Sequence, residues 1–296
     1  FGLFIPLSNL MIIYGNGIFP KCMLNFIFRR RNKIIEQKIS SIISDYSYKT
    51  TEMDYNPNAP IWYLWLQGED KMPEIPQLCL YSIRKFSNGH PVLVLSWNNL
   101  HEYVDLPAYI KNLYNEGYIT STHFSDILRM ALLSQRGGLW LDATVLVTKP
   151  LPDEIFKEPI FSIKNKSFGY FVSDCRWTGF CMAGWRNSVL ARNVYEIFCE
   201  YWKRNKYLID YFFIDFVIDI LYNSNNEIRN LIDEVPYNNE NVHKLAPLLC
   251  KKFDETQFQE LTKDTFLFKL NWRRYTQEEL NQDSDNYYYF LKNKFL

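Results

Sequence analysis

Between His123 and Pro150 the chain reads HFSDILRMALLSQRGGLWLDATVLVTKP, and no other stretch limits its fold as tightly. Ile127, Leu128, Met130, Ala131, Leu132 and Leu133 recur with a helix period. Ser125 stands before this stripe as an N-cap. Asp126 follows in the first turn, where the helix dipole favours negative charge. Gly137-Gly138 stops the helix, because glycine enters the left-handed region without a Cβ clash. Leu139-Trp140-Leu141 is then a short buried strand, and Asp142 stands where the strand leaves the sheet. Ligands of open α/β sheets sit beyond the carboxyl ends of strands. An acid held there, with Asp126 and Arg129 on the helix before it, is placed to organise a metal-bound phosphate.

The flanking chain extends this α/β pattern. Ile61–Leu66 and Pro91–Leu95 are short apolar runs of the parallel-strand type. Met72–Phe86 reads as a helix with Pro76 near its start, and Leu106–Glu116 as a helix that Gly117 stops. The order β-α-β-α-α-β predicts a mainly parallel twisted sheet flanked by helices, with right-handed crossovers. Thr144–Thr148 extends the motif strand as far as Pro150. Ile160–Ile163 and Phe168–Val172 read as antiparallel strands, and Val189–Trp202 and Tyr207–Tyr222 as helices. Residues 1–50 read as helical, with Ile34, Ile35, Ile39, Ile42 and Ile43 on one stripe, and a linker follows up to Pro60. The expected organisation is an N-terminal helical extension over 1–55 and a main domain over 56–296.

Composition narrows the function classes. Lys and Arg number 33 and Asp and Glu also 33, so no basic surplus exists to attract nucleic acid. The six cysteines are scattered without a CxxC pair, as expected for reduced thiols in a cytoplasmic protein. No run reaches the ~18 apolar residues of a membrane span. The apolar segment Phe1–Phe28 precedes Arg29-Arg30-Arg31-Asn32-Lys33, the reverse of a signal peptide's order. Such a segment can touch an anionic membrane surface peripherally. The preferred alternative is a helix packed on the domain with its basic end in solvent.

The run SDILR…GGLWLDATV resembles the nucleotide-sugar-binding core of sugar transferases with the DXD motif. It is most similar to the capsular polysaccharide synthesis proteins, relatives of the glycosyltransferase 32 family and, more distantly, of the glucosylating clostridial toxins. Pro60–Gly68, PIWYLWLQG, resembles that family's first strand, which ends beside the donor base. DYFFIDF at Asp210–Phe216 and Lys269-Leu270-Asn271-Trp272 resemble its C-terminal signatures. The resemblance implies a GT-A-like fold. It also implies retaining transfer of a sugar from a nucleotide-diphosphate donor, a UDP-hexose or GDP-mannose, to a saccharide or lipid-linked saccharide hydroxyl. The implied setting is bacterial capsule or surface polysaccharide assembly at the inner face of the membrane.

The site that follows from this resemblance has three parts. Asp142, with Thr144, would hold Mn²⁺ or Mg²⁺ against the diphosphate, with Lys269 or Arg273 as cationic partner. Asp126 and Arg129 would bind the donor sugar, Gly138 would approach the donor, and Trp62 or Trp65 would stack on base or sugar with Gln67 beside it. Asp210 would meet the acceptor, since Asp210 and Asp215 do not share a helix face. The motif departs from Asp-X-Asp: Asp142-Ala143-Thr144 leaves one carboxylate as a hard ligand. Plainer roles exist for each residue. Asp126 and Arg129 form an ordinary i,i+3 ion pair, Asp142 a turn residue, His123 a structural hydrogen-bonder, and either tryptophan a core residue. Gly179 and Gly184 in WTGFCMAG could lend amides to a ligand but have no P-loop lysine or GxGxxG spacing. Beside sugar transfer stand two rival readings: a non-catalytic scaffold with a degenerate site, and an effector that glycosylates proteins.

Overall fold

The structure is a computed structural model that describes residues 7, 8, 11, 18–50, 52–166 and 171–296. Half of the N-terminal apolar segment Phe1–Phe28, and most of the strand expected at 168–172, lie outside them. In chain order come α1 (Lys21–Ile42), β1 (Ile61–Leu64), α2 (Glu74–Lys85), β2 (Val92–Leu95), α3 (Leu100–Tyr103), α4 (Ala108–Asn115) and α5 (Ser121–Gln135). Next are β3 (Gly138–Leu141), β4 (Val145–Val147), α6 (Glu154–Lys157), β5 (Ile160–Ser162), β6 (Cys181–Gly184), α7 (Val189–Arg204) and α8 (Phe213–Ser224). The chain ends with α9 (Asn226–Glu234), α10 (Glu255–Thr262), β7 (Leu267–Lys269), α11 (Gln277–Asn281) and α12 (Tyr287–Phe295).

Among the described residues the main sheet has the order β2-β1-β3-β6-β5. β1 pairs in parallel with both β2 and β3, placing Trp62 opposite Leu93 and Trp140. β6 runs antiparallel to β3 and to β5, so β5 points the same way as the first three strands. The sheet is therefore mainly parallel, with β6 reversed inside it. Side-chain alternation divides the core. Ile61, Tyr63, Leu139 and Leu141 face Leu80 and Ile83 of α2, whereas Trp62 and Trp140 face the layer of α5, α7 and α8. With both faces covered, these strands are apolar at every position.

Several elements differ from the sequence reading. Helix α5 begins at Ser121 with Thr120 as its cap, the Thr120 hydroxyl accepting from His123 N at 3.3 Å. Ser125 and Asp126 therefore lie inside the helix. The motif strand does not continue past Asp142. The chain turns there, Val145 N donating to Asp142 O at 2.9 Å, and β4 leaves to pair antiparallel with β7. CMAG, the last four residues of WTGFCMAG, is β6, so Gly184 lies within a strand. Tyr207–Phe212 is irregular rather than helical, because the Asp210 carboxylate captures the Phe212 N–H at 2.9 Å and α8 starts beyond it. Gly137 and Gly138 do end the helix, both at positive φ. A Cβ on Gly138 would stand 2.3 Å from the Pro60 carbonyl oxygen. The bare glycine is what allows Leu139 N to reach that oxygen at 2.9 Å and seat β3 on β1.

Helix α1 packs on α8 through a buried stripe of Arg31, Ile35 and Ile39. The tyrosine-rich C-terminus is helix α12, whose Tyr287, Tyr288 and Leu291 are buried with Ile75 and Leu78 of α2. No helix among the described residues is long and apolar enough to cross a membrane.

Candidate active site

The parallel strands β1 and β3 end together, and the chain leaves both at one cleft. Trp65, Leu66 and Gln67 follow β1; Asp142, Ala143 and Thr144 follow β3; Lys269, Asn271, Trp272 and Arg273 arrive on and after β7. Ser121, Thr122, Ser125, Asp126 and Arg129 of α5 form another wall. The cleft has a volume of ≈ 610 Å³, in the range of small-molecule sites.

A chain of charged groups runs along its floor. Arg129 Nη1 donates to Asp126 Oδ1 at 2.9 Å and Nη2 to Asp142 Oδ1 at 3.1 Å. The Trp140 indole N–H also donates to Asp142 Oδ1, at 2.9 Å, and the Arg129 guanidinium lies 5.2 Å from the Trp140 ring centroid. Lys269 Nζ completes the chain, 2.8 Å from Asp142 Oδ2 and 2.8 Å from Thr144 Oγ1. Burial works against ionisation of Asp142, but the Lys269 ammonium and then the Arg129 guanidinium override it and hold the carboxyl at about 2. The backbone fixes these groups: Asp142 N donates to Phe180 O, Lys269 N to Val242 O and Leu270 N to Thr144 O. Gly179 leaves room for the guanidinium, since a Cβ there would stand 2.9 Å from Arg129 Nη1.

The fold brings Asp126, Arg129, Asp142, Thr144, Lys269, Gln67, Trp65 and Arg273 to this one cleft. Three expected site residues are elsewhere. Trp62 is a core residue, 1% exposed, its indole N–H donating to Gly137 O at 2.8 Å. Gly138 is a packing glycine in β3, under Pro60. Asp210 is buried in an ion pair with Arg31 of α1, which takes it out of acceptor contact. Gly184 likewise sits in β6 against Ser188. Sequence reasoning missed Tyr211, which is 64% exposed and lines the cleft one residue past Asp210. It also missed Ser121 and Thr122, whose only signal was their place at the start of α5. His123 is structural: its Nε2 accepts from the Trp202 indole N–H at 2.9 Å, which leaves its proton on Nδ1, 3.5 Å from Asp126 Oδ2.

Asp215 lies behind the site. Burial pushes its carboxyl up to about 7; the Trp177 N–H, donating at 2.8 Å, opposes this and the charge of Asp126 adds to it. A carboxyl raised in the folded state keeps a proton that the unfolded chain has lost above about pH 4. Its contribution to stability is thus complete below about pH 4 and is lost as pH rises through about 7. Asp215→Asn retains an acceptor for Trp177 and abolishes the titration. Melting curves should show the variant a few degrees above the wild type at pH 8 and level with it at pH 4.5; an equal gap at both pH values would contradict this assignment.

A divalent cation does not fit Asp142 and Thr144 as they stand. The Lys269 ammonium bridges those two side chains, and the other Asp142 oxygen is held by Arg129 and Trp140. Among the described residues no group of three or more His, Cys, Asp or Glu side chains gathers for a metal. Unit charges 4 Å apart repel by about 4 kcal/mol at an effective dielectric of 20, and a dication doubles that against the ammonium.

The chain is similar to "O-glycosyltransferase PaGT" of Phomopsis amygdali, 25% identical over 167 residues that cover 52% of this chain. It spans only 40% of that relative's length. In three dimensions it is similar to "PaToxG Glycosyltransferase" with a TM-score of 0.38 and 15% identity, covering 88% of this chain and 95% of that one. The family model described as capsular polysaccharide synthesis protein matches residues 27–291, nearly the whole of what is described above, and the chain belongs to that family.

Proposed function

We propose that the protein transfers a sugar from a nucleotide-diphosphate donor to a hydroxyl, in the assembly of a capsule or other surface polysaccharide. The observation that carries this reading is the chain Asp126–Arg129–Asp142–Lys269 laid along a cleft at the ends of parallel strands. Family membership supports it, and the likeness to an O-glycosyltransferase supports an oxygen acceptor.

In this reading Trp65 and Gln67 receive the nucleoside. Arg129 and Asp126 bind donor-sugar hydroxyls: the guanidinium has five N–H donors, of which Asp126 and Asp142 engage two. Lys269 and Arg273 face the diphosphate, where negative charge grows as the bond to the sugar breaks. The bond from C1 to the diphosphate oxygen breaks and its electron pair stays on that oxygen. The acceptor hydroxyl oxygen bonds C1 with retention, and its proton passes to the departing diphosphate. Tyr211, exposed at the rim, is placed to meet an acceptor sugar face.

The test is a screen of UDP- and GDP-sugars for a rise in melting temperature and for slow nucleotide release. A true donor at about 100 times its Kd stabilises the protein by about 2.7 kcal/mol, a plainly measurable shift. If no sugar nucleotide raises the melting temperature or is turned over, the proposal fails.

A further inference from the structure

We infer that Lys269 takes the place of a divalent cation in this site, so that donor diphosphate is neutralised by a resident ammonium and transfer needs no added metal. The inference rests on the sugar-transfer reading above and concerns how the same cleft handles charge.

Three observations lead to it. The position that a motif metal would occupy, between the first and third residues of Asp142-Ala143-Thr144, is spanned by one nitrogen at 2.8 Å from each. The third motif residue is a hydroxyl, a good partner for an ammonium and a poor one for balancing a dication. The lysine's root is fixed as well: Lys269 pairs with Val145 across β4–β7 and donates its N–H to Val242 O at 2.8 Å. An ammonium has three N–H donors. Asp142 and Thr144 take two, which leaves the third for a phosphate oxygen in the cleft that Lys269 lines. The Phe180 ring, 5.3 Å from Nζ, covers another side of the ammonium and limits the directions it can turn. Asp142 is then a positioning residue for the ammonium and the guanidinium, rather than a metal ligand.

The bond changes are those given above, with charge compensation supplied by the lysine. As the C1–O bond breaks, the pair on the diphosphate oxygen is stabilised by the Lys269 N–H, and the acceptor proton still leaves on the diphosphate.

Two measurements on the intact protein test this. In Mn²⁺ titrations without donor, followed by electron paramagnetic resonance, wild type should bind no Mn²⁺ below the millimolar range. Lys269→Met, which frees Asp142, should bind it measurably more tightly. In nucleotide-release assays, EDTA should change wild-type turnover by less than about twofold, while Lys269→Met should lose about 100-fold or more, the scale for a group that stabilises developing charge. Lys269→Arg should keep metal-free turnover within about tenfold of wild type, because it preserves the charge. Micromolar Mn²⁺ binding by wild type that Asp142→Asn abolishes would overturn the inference, as would turnover lost in EDTA and restored by Mn²⁺. If wild type turns over no sugar nucleotide with or without Mn²⁺, the sugar-transfer reading falls. The donor-free titration still decides whether the ammonium excludes the metal.

Discussion

Arg129→Met is expected to lower stability by about 3–5 kcal/mol and donor turnover by at least about 100-fold. Both effects have the same origin. The Arg129 side chain is 5% exposed and holds two carboxylates at once, Asp126 on its own helix and Asp142 beyond the next strand. Removing it leaves Asp126, itself 5% exposed, without its cation in a site from which water is largely excluded. Asp142 retains Lys269 but loses the group that orients its other oxygen. Arg129→Lys is expected to recover little, because a single ammonium cannot span two carboxylates as the planar fork does. Urea unfolding and nucleotide release on the purified variants check these values. An Arg129→Met protein that unfolds like the wild type would show that the guanidinium is not bridging the two acids.

The second large effect is expected far from the cleft. Arg31→Met should cost about 3–5 kcal/mol, because it strands the Asp210 carboxylate in the core. Arg31 and Asp210 are 4% and 7% exposed. The guanidinium also lies 5.6 Å from the Phe216 ring centroid, so the pair clamps α1 onto the start of α8. Replacing both partners, Arg31→Met with Asp210→Leu, should restore most of the loss, since a buried ion pair exchanged for apolar groups is often neutral. Urea titrations of the single and double variants decide the point. A single variant within about 1 kcal/mol of wild type would mean that α1 is not held in this way.

The parts of this molecule legible in sequence are those governed by neighbours along the chain. The helix period of α5, the stop at Gly137-Gly138 and the apolar run of β3 are local properties, and they led to Asp126, Arg129 and Asp142 together. The illegible parts depend on partners far away in sequence. Asp210 sits in a run that resembles a functional signature, and nothing near it reveals that Arg31, 179 positions earlier, neutralises it. Trp62 and Trp65 belong to one strand and its end; only the sheet's packing sends the first into the core and the second into the cleft. The four residues of β6 carry too short a pattern to mark a strand, and their pairing with β3 is set by tertiary contact. β4 was hidden by its continuity with β3, because the turn at Asp142 contains neither proline nor glycine.

The pairing of β4 with β7 also has a consequence for biosynthesis. Asp142 leaves the ribosome well before Lys269, whose ammonium lies 127 positions later in the chain. Local pairings form early and distant ones late, because loop closure must come first. During translation the growing polypeptide therefore carries an incomplete cleft, with Asp142 and Thr144 lacking their lysine. The charged floor of the cleft is complete only once β7 has been made and has paired with β4.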